Sequence, residues 1–361
     1  TCKFPLWKLG MLMPRGCYSC LHIGTYMYRV IIREIYIGWG MVELKWSTRV
    51  TEIFEIDYPI VQGGLAHLAY ADLAAAVSNA GALGQVTAMS LPSPDHLKKE
   101  IQRVKSMTEK PFGVNFAIGQ HRRPFEEMVQ VAIDEKVPII SVTGGNPKGV
   151  LEMVKGHGIK TLVLVAARRQ AEKAEELGAD AVMVVGQEGG GHIGRTDTGT
   201  LVLTPQVADH VSIPVLASGG IVDGRGLMAA LALGAEGIEM GTRFVETKEC
   251  THTDHAYKKE IIDADENATT VIKRSIGAPA RALKGSWTDQ ILHIEEKGLG
   301  YESLKDYISG EANKRYIHDG VEEEGFGWAG QGAARIHDIP TVKELIDSIM
   351  KEAESIRKSW V

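Results

Sequence analysis

The sequence predicts an α/β chain built on a closed (β/α)₈ barrel, a TIM barrel, with a second, smaller, mainly helical domain. Three observations predict it. From residue 59 onward, eight short apolar runs rich in β-branched residues alternate with helical patterns. Those runs are nearly continuous in hydrophobicity, as strands covered on both faces by crossover helices must be. Six of the eight end in or just before glycine, and polar residues gather at that end, where a barrel carries its active face.

The strand candidates begin near Pro59 (PIVQG), Ala82 (ALGQV), Pro111 (PFGVNF), Pro138 (PIISVTGG), Thr161 (TLVLVAA), Asp180 (DAVMVVGQ), Pro214 (PVLASGG) and Gly237 (GIEMGTR). Amphipathic stretches over 68–79, 94–107, 125–136, 147–157, 168–177 and 225–233 lie between them. Gly81, Gly178 and Gly234 follow three of these stretches, where a left-handed C-cap is expected. Eight strand–helix units point to closure, and alternation alone leaves an open doubly wound sheet as the alternative.

After about Glu246 the alternation stops. Residues 255–325 are charged and mixed, with helices expected over 256–264, 268–275 and 301–309, and form the expected small domain or lid. Residues 41–254 and 326–361 then make the barrel, with 341–359 an amphipathic helix returning to it. Residues 1–40 show neither helical nor strand periodicity and lack the basic-then-apolar layout of a secretory signal. They are expected to be a non-native or disordered extension, with Met41 the natural start. Their C-x-x-C, Cys17 and Cys20, has no second ligand pair at zinc-like spacing.

The 361 residues carry a formal net charge of −6, so there is no basic footprint for nucleic acid. No apolar run is long enough to span a bilayer. Three of the four cysteines fall in the first 20 residues, leaving only Cys250 elsewhere. A disulfide framework is thereby excluded for the main body, and a reducing cytoplasm is the expected location. The expected partner is a small molecule, with a homodimer left open.

Asn115, Thr143, Gln187, Ser218 and Thr242 all fall at the glycine-rich strand ends. Ser218-Gly219-Gly220 and Gly241-Thr242 close strands seven and eight, where barrels of this class hold phosphate. Glycine lets backbone N–H groups approach an anion, and the two hydroxyls can add donors. Tight turns without a ligand are the alternative. The stretch 189–194 matches G-x-G-x-x-G, but the following 195–200 is loop-like and does not open a helix to receive a pyrophosphate. His192 lies in that glycine-dense loop; imidazole is the side chain best suited to moving protons near neutrality, against the alternative of a plain surface loop residue. The run 325–336, GFGWAGQGAARI, holds Trp328 and Gln331 and is either a roof over a ligand or a hinge.

Five motifs in order carry a resemblance: PIVQGGLAHLAYADLAAAVSNAGALG (59–84), PFGVN (111–115), EGGGHIG (188–194), ASGGIVDGRG (217–226) and MGTRF (240–244). From about Thr48 to the C-terminus the chain resembles the nitronate monooxygenase/2-nitropropane dioxygenase family. That family is similar to the FMN-dependent enoyl-acyl-carrier-protein reductases and to NADH:quinone reductases. The resemblance implies bound FMN, with Gly63, Gly64 and Leu65 beside the flavin ring and Asn115 hydrogen-bonded to it. It implies Gly190, Ser218, Gly220, Gly241 and Thr242 at the phosphate, and Gln331 near the flavin. Gln187, Gly191 and Gly219 complete the expected cofactor-binding set. His192 matches the family's active-site histidine, which handles a substrate proton. The implied reaction is oxidation of alkyl nitronates by O₂ to carbonyl compounds and nitrite.

One departure bears on the substrate. Many nitronate monooxygenases carry Q-A-P-M after the first strand, where this chain has Gln62-Gly63-Gly64-Leu65. The Q-G-G form is commoner in the NADH-using relatives. NADH or NADPH is therefore an expected co-substrate of two alternatives, a quinone reductase and an enoyl-acyl-carrier-protein reductase. From another class, a non-catalytic barrel that binds a phosphorylated ligand stands as a further alternative.

Overall fold

Proline has no N–H to give to a ladder, so it sits at or before the first residue of a strand. Four strands start directly after one: β1 (Ile60–Gln62) after Pro59, β3 (Phe112–Ala117) after Pro111, β4 (Ile139–Thr143) after Pro138 and β8 (Val215–Ser218) after Pro214. The computed structural model describes residues 46–119 and 124–360. The expected extension 1–40, its Cys17/Cys20 pair and Met41 lie outside the described residues.

With β2 (Gly84–Thr87), β5 (Lys160–Val165), β6 (Ala181–Val185) and β9 (Gly237–Met240), these strands form one parallel eight-stranded sheet in the order β1-β9-β8-β6-β5-β4-β3-β2. A parallel bridge between Val61 and Leu83 joins its two ends. Gln62 N donates to Leu83 O and Leu83 N to Ile60 O, both at 2.9 Å, so the sheet closes into the expected barrel. The seam is tied by buried amides. Gln85 N donates to Gln62 Oε1 at 2.9 Å, and Gln85 Nε2 to Gln62 O at 2.8 Å. Val61, Leu83, Ile139, Leu162, Met183 and Leu216 fill the interior together with Val50 and Phe54 of helix α1 (Arg49–Phe54).

Helices cover the outside. The three C-cap glycines, Gly81, Gly178 and Gly234, take φ of 90°, 88° and 89°. The expected tail helix spans Val342–Ser359 and is closed by a capping box between Thr341 and Glu344. Its apolar face lies on the helix Gly224–Ala232, and a Cβ at Gly224 would stand 2.5 Å from Ile349 O. A helix over Thr200–Ala208, between β6 and β8, was not among those expected. It contains Pro205 and leaves Leu201 and Val202 exposed, so it shows little of the amphipathic pattern that reveals a helix.

The segment 255–325 carries helices His255–Ile262, Ser286–Glu296, Tyr301–Leu304 and Gly310–Ile317. The helix expected over 268–275 is instead the strand β10 (Thr269–Ile272), which pairs antiparallel with β11 (Ala280–Leu283). Thr-Thr-Val-Ile is β-branched throughout, which favours a pleated surface once a partner strand is present. A two-residue strand, β7 (Gly191–His192), leaves the barrel after β6 and adds to the other edge of β11. Among the described residues no helix is long and apolar enough to cross a membrane, and no group of three or more His, Cys, Asp or Glu is placed to hold a metal. Cys250 is a free, buried thiol.

Candidate active site

The C-terminal strand ends open into a cavity of about 1380 Å³. One wall is backbone. Gly219 and Gly220 leave β8 with φ of 97° and 75°, a region closed to most side chains. A Cβ at Gly219 would stand 3.0 Å from Gly189 N and from Thr200 Oγ1, so nothing larger fits without a shift. Gly241 and Thr242 follow β9 beside them on the same lining. Across the mouth, Gly64 lies against Asn115, where a Cβ would collide with the carboxamide. Asn115 Nδ2 donates to Ser141 Oγ at 2.8 Å, which holds that buried carboxamide in place.

The other wall is made of side chains from outside the barrel. Pairing of β7 with β11 (Ala280 opposite His192) fixes the backbone of His192. The imidazole opens on the cavity, with its ring 5.8 Å from that of Trp328. Lys273, at the end of β10, brings Nζ to 2.6 Å from His192 Nε2 and 5.5 Å from the Trp328 ring centre. Although His192 is exposed toward the cavity, desolvation of its ring by the surrounding atoms, and then the neighbouring Lys273 cation, push its pKa down to about 4. Burial likewise lowers Lys273 to about 8, with Glu295 opposing. At neutral pH the imidazole is therefore uncharged. An ammonium on Lys273 can only donate, so Nε2 accepts and the ring proton sits on Nδ1.

Of the expected site residues, Gly64, Leu65, Asn115, Gly190, Gly191, His192, Ser218, Gly219, Gly220, Gly241 and Thr242 line this one cavity. Gly63, Gln187 and Gln331 do not. Gly63 gives room to Glu239, whose carboxylate a Cβ there would strike. Gln187 Nε2 donates to Gly194 O at 3.0 Å and Thr196 O at 2.5 Å, shaping the loop that presents His192. Gln331 is exposed, and its backbone N–H donates to Glu188 O at 2.9 Å. With Gly330 N donating to Thr242 Oγ1 at 3.0 Å, this pins the loop of Trp328 against the barrel ends.

Two lining residues escape sequence reasoning: Lys273 and Glu239. Glu239 is on β9 and accepts a hydrogen bond from Ser218 Oγ. Burial raises its carboxyl above the usual range, and the Ser218 bond offsets part of that. A lone acid in an otherwise apolar strand is the signal that could have found it. Lys273 has no such signal, because its place depends on strand pairing.

The lining fits a flavin. Thr87 Oγ1, buried at the end of β2 and on the cavity lining, has no hydrogen-bond partner among the described residues. The glycine wall presents backbone where a phosphate needs close N–H groups, and the cavity is long enough to reach from there to Asn115.

Comparison with known proteins identifies the family. Residues 47–123 and 117–352 match the nitronate monooxygenase family. A probable nitronate monooxygenase of Staphylococcus saprophyticus is 30% identical over 356 residues, covering 87% of this chain and 99% of the relative. The (3aS,4S,5R,7aS)-5-hydroxy-7a-methyl-1-oxo-octahydro-1H-indene-4-carboxyl-CoA dehydrogenase of Mycobacterium tuberculosis is 34% identical over 349 residues, covering 86% of this chain and 97% of the relative. The solved structure of FabK from Thermotoga maritima superposes with a TM-score of 0.80 at 38% identity, covering 87% of this chain and 98% of that one. The chain thus belongs to the nitronate monooxygenase family and is a flavin-dependent oxidoreductase.

Proposed function

We propose that the chain binds FMN and oxidises alkyl nitronates with O₂ to carbonyl compounds and nitrite. One observation carries this reading: an uncharged imidazole, His192, lines the same cavity as the glycine strand ends with a cation, Lys273, at its side. When bound, the flavin supplies an electron store that can be filled from substrate and emptied to oxygen. Gly64, Leu65 and Asn115 are proposed to hold its ring, and Gly190, Ser218, Gly219, Gly220, Gly241 and Thr242 its phosphate. Gly63, Gly191, Gln187 and Gln331 support those positions through the packing and hydrogen bonds above. His192 is placed to take up the α-proton where the substrate arrives as the neutral nitroalkane; an alkyl nitronate has already lost that proton and needs no base. Trp328 and the 276–279 turn restrict water at the mouth.

A second reading, reduction of a thioester with NADH or NADPH as co-substrate, draws on the cavity itself. Its lining includes Arg169, Arg195, Lys273 and Lys305 against a single acid, Glu239, and its size exceeds what a small nitronate needs. A visible spectrum of the purified protein, followed by anaerobic NADH, separates the two. A flavin spectrum untouched by NADH, with propyl nitronate turned over in air, is the expected result. Bleaching by NADH without nitronate turnover would transfer the proposal to the reductase reading, and no flavin even after incubation with FMN would overturn both.

A further inference from the structure

We propose that Lys273 is the anchor for an oxyanion of the substrate, its ammonium passing from Nε2 of His192 to that anion when substrate binds. The proposal rests on the oxidoreductase site above and takes only its choice of probe from the nitronate reading.

Lys273 is 7% exposed, yet among the described residues its ammonium has no ion-pair partner and its hydrogen-bond partner is Nε2 of His192. The other cations on the lining, Arg169, Arg195 and Lys305, are exposed, and Lys305 is paired with Glu302. A desolvated, unpaired cation is costly unless something pairs with it, and here the open side of the group is the cavity. The backbone is bent to put it there. Lys273 takes φ of 68°, where a non-glycine residue is strained. Glu295 holds the turn, accepting from Lys273 N at 2.8 Å and, through its other oxygen, from Ser275 N at 2.8 Å and Ser275 Oγ at 2.7 Å. The carboxylate is thus spent on the backbone, and the ammonium's hydrogen-bonding partner is an uncharged imidazole.

This arrangement has a chemical consequence. While Lys273 donates to Nε2, the acceptor nitrogen of His192 is occupied and cannot take a proton. An anion entering the cavity draws the ammonium toward itself and frees Nε2. Substrate binding and base activation are then one movement of one side chain. The groups facing the ammonium are His192 from β7, Glu295 from the helix Ser286–Glu296 and the Trp328 ring, while Arg274 beside it is turned to Asp197.

The test is a nitrite titration of the flavin-loaded protein, read by perturbation of the flavin spectrum, on the wild type, Lys273→Met and Lys273→Arg. Lys273→Met is expected to weaken nitrite about tenfold or more, and Lys273→Arg to restore it within a few-fold. Wild-type affinity is expected to fall as pH rises through about 8, and affinity of Lys273→Arg to stay flat there because guanidinium remains charged. ¹³C NMR of the His192 ring is expected to show its pKa raised in Lys273→Met, since a neighbouring cation is gone. Nitrite binding equal in Lys273→Met and wild type, or equally lost in Lys273→Arg, would overturn the proposal. If Lys273→Met does not keep its flavin, the wild-type pH titration and Lys273→Arg decide. Nitrite binding needs no turnover, so a protein that oxidises no nitronate still tests Lys273. Nitronate turnover with an unchanged KM in Lys273→Met would fail the anchor alone.

Discussion

The two walls of the cavity are built on opposite plans. The barrel wall is backbone: Gly219, Gly220 and Gly241 come from the ends of neighbouring strands and carry no side chains of their own. The other part of the lining is side chains: His192, Lys273 and Trp328, brought together from three distant parts of the chain by a small antiparallel sheet and a docked loop. A backbone wall can hold a constant group, because amide geometry varies little among sequences. A side-chain wall can be altered one residue at a time, which suits the choice of substrate. The prediction is a separation of labour in which each wall can be damaged without the other.

The largest effect is expected on the side-chain wall. His192→Ala should lower turnover about 10²–10⁴-fold, the usual contribution of a positioned acid–base group, while leaving the flavin bound. Absorbance of the variant after desalting and its turnover of a neutral nitroalkane, which still carries the proton, are the two measurements. Flavin lost together with activity would make His192 part of the cofactor's wall and collapse the distinction. Gly219→Val strikes the other wall. A β-branched residue at φ 97°, with its Cβ 3.0 Å from Gly189 N, should weaken FMN roughly tenfold to a hundredfold. Turnover at saturating FMN should change far less, and a large loss there would again merge the walls.

The same division explains what could be read from the sequence. Each barrel unit is local: an apolar run, a polar cap and a glycine lie within about 30 residues of one another, so periodicity and turn chemistry expose it. Ser218-Gly219-Gly220 is legible for that reason. The side-chain wall is non-local. His192 pairs with Ala280, and β7 is too short to leave any pattern. Thr269–Ile272, without its partner in view, reads as part of a helix, and Lys273 at its end becomes one more charged residue. His192 was found through its glycine-rich loop and its chemistry, but the cation that occupies its Nε2 appears only once the strands are paired. Glu239 was hidden differently, inside a run whose apolar neighbours identify it as a strand.

The smallest predicted effect lies where the two walls are joined. Four residues after Thr242, Glu246 is fully buried, and neither of its carboxylate oxygens has a hydrogen-bond partner among the described residues. Burial raises its pKa to about 8, against the opposing pull of Lys258 and Arg243. The unfolded chain gives up this proton near 4.5, the folded chain only near 8, so between those values the folded state binds the extra proton. Stability from this group is therefore present at low pH, declines as pH rises through that window and is gone above about 8. Glu246→Gln keeps the shape and removes the titration. Its stability should match that of the wild type near pH 5 and exceed it by about 1–3 kcal/mol near pH 9. Denaturant unfolding at the two pH values measures this, and parallel pH dependences in the two proteins would show that Glu246 ionises in the fold without cost. Because neither Glu246 nor its neighbour Lys258 reaches the cavity lining, nitrite affinity and FMN affinity should both be unchanged by the substitution at neutral pH. If either moved, the junction would be transmitting strain to a wall, and the two walls could no longer be treated as independent.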